Sequence, residues 1–378
     1  MNITNEFNVD SRFCYLNHAG MSPWPKRTRD AVVAIADEIH HQGAVGYSRW
    51  SELDAAAHGR MAALLGAQAD EVAFVRNTSD ALSMIARGLR WEPGQNVVYA
   101  REEFPSNRYP WESLGEFGVE ARRVNLNVDA LEDAPESALI SAIDANTRLL
   151  AVSAVQYASG LRMDLPRLAA ACRERGVLLC VDAIQQVGAL PFDVQRCGAD
   201  FVALGSHKWL LGPEGIGVLW MKPEWRERLR LHAFGWHMAE NLGDFDNETW
   251  RPAFSARRFE PGTTNLLGIA ALNASLSLFE ELGIEECAAT LNARIAHLIG
   301  GLSALPGISV ITPTSPDRRA GIVTFRHEKL SAAALHACLV AADVVCVPRG
   351  GGVRFSPHFH TSVATLDRGL ACVESAIA

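Results

Sequence analysis

Between Val72 and Met221 six short apolar runs recur at intervals, at Val72–Val75, Asn96–Tyr99, Leu149–Ser153, Val177–Asp182, Phe201–Leu204 and Ile216–Met221. The stretches between several of them carry helical spacing. Parallel strands need crossovers of a dozen or more residues, usually helical, so this alternation predicts an α/β fold with helices on both faces of a mostly parallel sheet. Helices are expected at Lys26–His41, Trp50–Gly66, Ser79–Leu89, Glu136–Asp144 and Leu165–Gly176, with Gly66 and Gly176 as stops. After Pro261-Gly262 the pattern changes. One long helical region from Leu266 to Leu305 precedes short strands at Ile308–Ile311, Gly321–Phe325, Val344–Val347 and Val353–Ser356, with helices at Ser331–Ala342 and Val363–Ile377. The expected organisation is an N-terminal segment over 1–14, a large domain over 15–260 and a smaller α+β C-terminal domain over 261–378.

Composition narrows the function classes. A net charge of -8 gives no electrostatic footprint for nucleic acid, and no run of about 20 apolar residues is present to span a bilayer. The first ten residues lack the basic start and apolar core of a secretory signal, so a cytoplasmic location is expected. The eight cysteines form no C-x-x-C pair, and His358-x-His360 lacks a third ligand at zinc spacing, so no metal is expected.

The chemistry concentrates around one lysine. Lys208 follows the run Phe201–Leu204 through Gly205-Ser206-His207 and precedes Gly212-Pro213 and a second apolar run. An ammonium between apolar strands is desolvated, which favours the neutral, nucleophilic amine. The run Val177–Asp182 ends in a carboxylate, at the place where a parallel strand delivers residues to a ligand crevice. A lysine to bond an aldehyde and an acid to pair with a pyridinium nitrogen are what pyridoxal phosphate (PLP) asks of a protein.

Asp182-Ala-Ile-Gln185, the Asp-Phe-Val-Ala-Leu strand, Ser206-His207-Lys208 and Gly212-Pro213-x-Gly215-x-Gly217 together resemble the PLP-dependent class V aminotransferases, which include the cysteine desulfurases and an isopenicillin N epimerase-like branch. The resemblance runs from Tyr15 to the C-terminus. It implies PLP-dependent transferase fold type I and a homodimer with shared active sites. It also implies an amino-acid substrate, with Lys208 and Asp182 as the catalytic pair. Asn77, Thr78 and Ser79 open a predicted helix, where free amides and the dipole suit a phosphate. Ser206 and His207 are expected to reach the same phosphate, although some relatives carry Ser-Gly-His-Lys here. Phe104, in Glu103-Phe-Pro-Ser-Asn107, occupies the ring-stacking position. Gln185 is expected at the ring's phenolic oxygen, and Gln156 is a candidate for the contact that Ala154 cannot make. Thr263, in Pro261-Gly-Thr-Thr264, is expected to reach the partner subunit's cofactor phosphate. Arg354 is the expected receiver of the substrate carboxylate, and His18 a lining residue.

Desulfurases of one branch need a thiol five residues after the arginine matching Arg349. Here that position is Arg354, after a shortened Gly350-Gly351-Gly352 loop. The reading is therefore aminotransferase-type chemistry at the α-carbon, with a C–S lyase or an epimerase as alternatives. Desulfuration and a non-catalytic PLP-binding protein rank below these.

Overall fold

The computed structural model describes residue 3 and residues 5–126, 135–246 and 248–378. The strands among the described residues are β1 (Cys14–Tyr15), β2 (Val72–Val75), β3 (Asn96–Ala100), β4 (Glu120–Val124), β5 (Thr147–Ser153), β6 (Leu178–Asp182), β7 (Phe201–Gly205), β8 (Gly217–Met221), β9 (Ile308–Val310), β10 (Val323–His327), β11 (Val344–Val345), β12 (Val347–Arg349) and β13 (Gly352–Phe355). Seven of them form the main sheet in the order β2-β8-β7-β6-β5-β3-β4, parallel except for β8, which runs against both neighbours. β2, β3, β6, β7 and β8 are buried along their whole length, as helix cover on both faces requires. β4 is the exception. It is a charged, half-exposed edge strand, and its polar Glu-Ala-Arg-Arg-Val carries no apolar signal.

Helix Tyr47–Leu65 ends at Gly66 (φ +65), so the expected stop is a left-handed C-cap. The long region expected from Leu266 is instead two helices, Leu266–Leu282 and Ile284–Ala304, which turn by 85° at Gly283. The first lies against the large domain, with Ile269, Leu272 and Leu276 in its core and Thr28 and Arg27 bonded to Ser275 and Glu281. The second belongs to the C-terminal core, which covers an antiparallel sheet of order β12-β13-β10-β9. β1 pairs in parallel with β11, so the N-terminal segment is stitched to the C-terminal domain.

β5, β6 and β7 are adjacent and end at Ser153, Asp182 and Gly205. The carboxyl ends of parallel strands are where open α/β sheets bind ligands. Lys208 follows β7 by three residues.

Candidate active site

The turn that carries Lys208 is held rigidly. Gly212 N donates to Ser206 O at 3.0 Å and Leu211 N to Lys208 O at 3.1 Å. Leu211 adopts φ +59, which a leucine rarely does, and its carbonyl is fixed by Ser275 Oγ at 2.9 Å. The Ser206 hydroxyl donates to the carbonyls of Pro213 and Ile216. Its only hydrogen is therefore engaged inside the turn, where it shapes the lysine loop. Trp209, fully buried, donates its indole N–H to Gln185 Oε1 at 2.8 Å. Gly321 leaves room for that indole: a Cβ there would lie 2.2 Å from Trp209 Cη2.

Burial, countered by the nearby Asp182 charge and aided by that of Arg354, pushes the Lys208 amine below the usual lysine range. The Nζ atom lies 5.6 Å from the centroid of the Phe104 ring. Phe104 is 39% exposed and packs edge-on against Tyr157 at 5.1 Å, so one ring face remains open beside the lysine.

Asp182 is buried, and its Oδ1 accepts the Ile184 amide at 3.0 Å. Its other oxygen receives no hydrogen bond from the described residues. Burial raises this carboxyl, the Ile184 bond opposes that shift, and the Glu103 charge adds to it. Glu103 is a site residue that sequence reasoning missed. Its buried carboxylate accepts from Ser153 N at 2.7 Å, from Ser153 Oγ, from Gln156 Nε2 at 2.8 Å and from Asn107 Nδ2 at 3.1 Å. Because Ser153 pairs with Asp182 across β5 and β6, Glu103 locks the Phe104 loop onto the strand ends that carry the acid. The Gln156 donor is thus directed at Glu103, while its Oε1 lies buried without a partner.

At the other end of the site, helix Thr78–Gly88 is capped by Asn77, whose side chain accepts from Asp80 N at 2.9 Å. Asn77 is therefore the cap, and Thr78 is the first residue of the helix. The Thr78 Oγ1 atom is buried and has no hydrogen-bond partner, at a helix N-terminus that favours an anion. Ser79 Oγ donates to Ser106 Oγ at 2.8 Å. His207 is half-buried, and burial together with the Lys208 charge keeps it below the usual histidine range. Gln185 donates to Ala19 O at 3.1 Å, which with the Trp209 contact leaves one Nε2 hydrogen available. Thr263 is exposed, in a segment tied to the lysine loop by Asn265 Nδ2 donating to Gly215 O at 3.1 Å.

Arg354 lies on β13 and is 3% exposed, yet no carboxylate of the described residues pairs with it. Nη1 donates to Tyr157 O at 2.7 Å, Nη2 reaches Asn17 Oδ1 at 3.3 Å, and Nε has no partner. Burial, aided by the charge of Arg349, depresses its pKa. His18 is buried, with Nδ1 3.0 Å from Ser356 O and Nε2 unpartnered. It packs against His358 and His360 at centroid distances of 5.5 and 5.0 Å, a contact between two distant chain segments that spacing alone did not reveal.

An unpartnered Thr78 hydroxyl at a helix N-terminus, an acid with one open oxygen, a destabilised ammonium and an open aromatic face form a donor set that fits a phosphorylated pyridine aldehyde. Comparison with known proteins agrees. The family model described as Aminotransferase class-V matches residues 14–363. An uncharacterized aminotransferase, YcbU, of Bacillus subtilis is 31% identical over 81% of this chain and 79% of its own length. A probable cysteine desulfurase of Methanothermobacter thermautotrophicus is 28% identical over 89% of this chain and 83% of its own. Among solved structures, the cystine C-S lyase C-DES, in complex with its reaction product cysteine persulfide, superposes with a TM-score of 0.88 at 23% identity, covering 96% of this chain and 98% of that one. The lysine loop, the acid-bearing strand end and the match along nearly the whole chain place this protein in the class V aminotransferase family of PLP-dependent, fold-type I enzymes.

Proposed function

We infer that this chain acts on a free α-amino acid, with aminotransferase-type chemistry at the α-carbon. One observation carries the reading: a buried guanidinium, Arg354, has no carboxylate partner among the described residues and stands close enough to Lys208 for its charge to disfavour the ammonium. A buried cation without a counter-charge is costly, and a carboxylate arriving with the substrate supplies two parallel acceptors.

PLP, when bound, supplies an electron-withdrawing ring that stabilises negative charge at the substrate α-carbon. The Thr78 hydroxyl, the amides of Thr78 and Ser79, and His207 would hold its phosphate. Asp182 would pair with its ring nitrogen, the Gln185 amide would reach its phenolic oxygen, and Phe104 would cover its face. Lys208 would bond its aldehyde and, once displaced by the substrate amine, take the α-proton as a base whose depressed pKa suits neutral pH. Arg354 orients the substrate, with His18 lining the pocket.

The short hairpin from β12 to β13, closed by Gly350 (φ +57) and Gly351 (φ +76), puts no thiol beside this arginine, and Cys346 is buried with its pKa pushed up to about 12. Desulfuration therefore lacks an obvious sulfur acceptor in this chain. A β-eliminating C–S lyase needs no such thiol and is the second reading, favoured by the likeness to C-DES. Incubation with an amino-acid panel separates the two: keto acid with pyridoxamine formation supports transamination, and pyruvate, ammonia and released thiol or persulfide support elimination.

The active unit proposed is a homodimer. Phe234, Trp236, Leu242, Phe245, Trp250 and Phe254, all within one segment, are at least 36% exposed, an apolar surface of the kind a second subunit covers. Thr263, exposed nearby in sequence, is proposed to serve the partner's phosphate.

A further inference from the structure

One residue along from Gln185, Gln186 turns into a separate cavity of 540 Å³, whose lining includes none of Lys208, Asp182, Thr78 or Arg354. Its size falls within the roughly 300–1,000 Å³ of small-molecule sites. One wall comes from helix Tyr47–Leu65 and the large-domain segments near Arg162 and Phe192. The other comes from the helices that turn by 85° at Gly283.

Three kinds of unmet chemistry share this space. Gln186 is 4% exposed, and its Nε2 donates to Pro191 O at 3.1 Å, which fixes Oε1 as an acceptor without a partner. A buried acceptor left unpaired is costly. Arg162 and Arg196 line the cavity with no carboxylate of the described residues in ion-pair range, whereas Arg60 beside them is bound by Glu280 at 2.8 Å. Glu285, also in the lining, has no cationic partner among the described residues. Phe192, Leu276 and Phe279 supply an apolar wall.

We propose that this cavity binds a free α-amino acid with an apolar side chain, at a site distinct from the Lys208 centre. The Arg162 and Arg196 guanidiniums take the carboxylate, Gln186 Oε1 and Glu285 take the ammonium, and the apolar wall takes the side chain. Occupancy bears on the joint at Gly283, from which the C-terminal domain and Arg354 are hung, so the ligand is placed to act as a regulator of the catalytic site.

Equilibrium dialysis of the holoenzyme against radiolabelled L-leucine tests this without reference to turnover. The expected result is one bound equivalent per chain that survives Arg354→Ala but weakens by about ten- to a hundredfold in Arg162→Ala/Arg196→Ala, as loss of charge-assisted hydrogen bonds requires. Ala63→Trp, at an exposed lining position, fills the mouth of the cavity without removing a charge and should abolish the same equivalent. Circular dichroism confirms that each variant is folded. Leucine binding that is absent, that disappears only with Arg354→Ala, or that persists in both cavity variants overturns the proposal.

Discussion

Replacing Arg354 with methionine should push stability and activity in opposite directions. The guanidinium is 3% exposed, makes two hydrogen bonds to neutral acceptors and has no anion among the described residues to offset its desolvation. An apolar side chain of similar length removes that penalty, though it leaves Tyr157 O and Asn17 Oδ1 without their donor. A buried charge without a counter-ion costs stability, so the melting temperature of Arg354→Met should hold or rise. The same change deprives a desolvated substrate carboxylate of its counter-charge, a loss of about 2–5 kcal/mol, or ~30- to ~5,000-fold in kcat/KM. Steady-state kinetics on the best amino acid, with calorimetry on the same samples, reads both. A variant that keeps its KM, or that loses stability in step with activity, would show that Arg354 is a structural residue and refute the carboxylate assignment.

Further outcomes follow from the same geometry. Thr78→Val removes a hydroxyl that bonds none of the described residues, so it should weaken PLP binding by about tenfold in a spectroscopic titration while leaving thermal stability unchanged. The His18 ring, held by burial at about 4 against an ordinary 6.5, is neutral in both folded and unfolded chains above pH 6.5. Below that pH the unfolded chain takes the proton first, so stability should fall between pH 6.5 and 4 by about 3 kcal/mol for this residue. Melting curves across that window should be flatter for His18→Gln; an equal slope removes His18 as the cause. If Thr263 serves the opposite subunit, mixing inactive Lys208→Ala chains with Thr263→Ala chains should produce dimers in which one site has both residues intact. Activity that does not recover on mixing would place Thr263 in its own chain's site.

The sheet was legible where strands are buried on both faces, because continuous apolar runs such as Phe201–Leu204 have no other use. β4 escaped because an edge strand of Glu-Ala-Arg-Arg-Val gains its place from backbone pairing with β3, which leaves no mark in hydropathy. The helical region after Leu266 reads as continuous because Gly283 is a single residue, and only packing of the two halves on different cores reveals the turn. In the site, Lys208, Asp182 and Arg354 stand out as charges in apolar surroundings. Glu103 does not, since its four donors come from residues 4 to 53 positions away and only the fold gathers them. The direction of the Ser206 hydroxyl and the choice of Asn77 as the helix cap are likewise set by a few local dihedrals that residue identity leaves open.

Residue 208 is the proposed point of covalent attachment. Borohydride reduction of the holoprotein followed by peptide mass mapping should place a single pyridoxyl group on Lys208. The rate at which the apoprotein takes up PLP covalently should rise with pH through a value below the ordinary lysine range, because the amine must shed its proton before it can bond the aldehyde. A label on any other amine, or none at all, would contradict it.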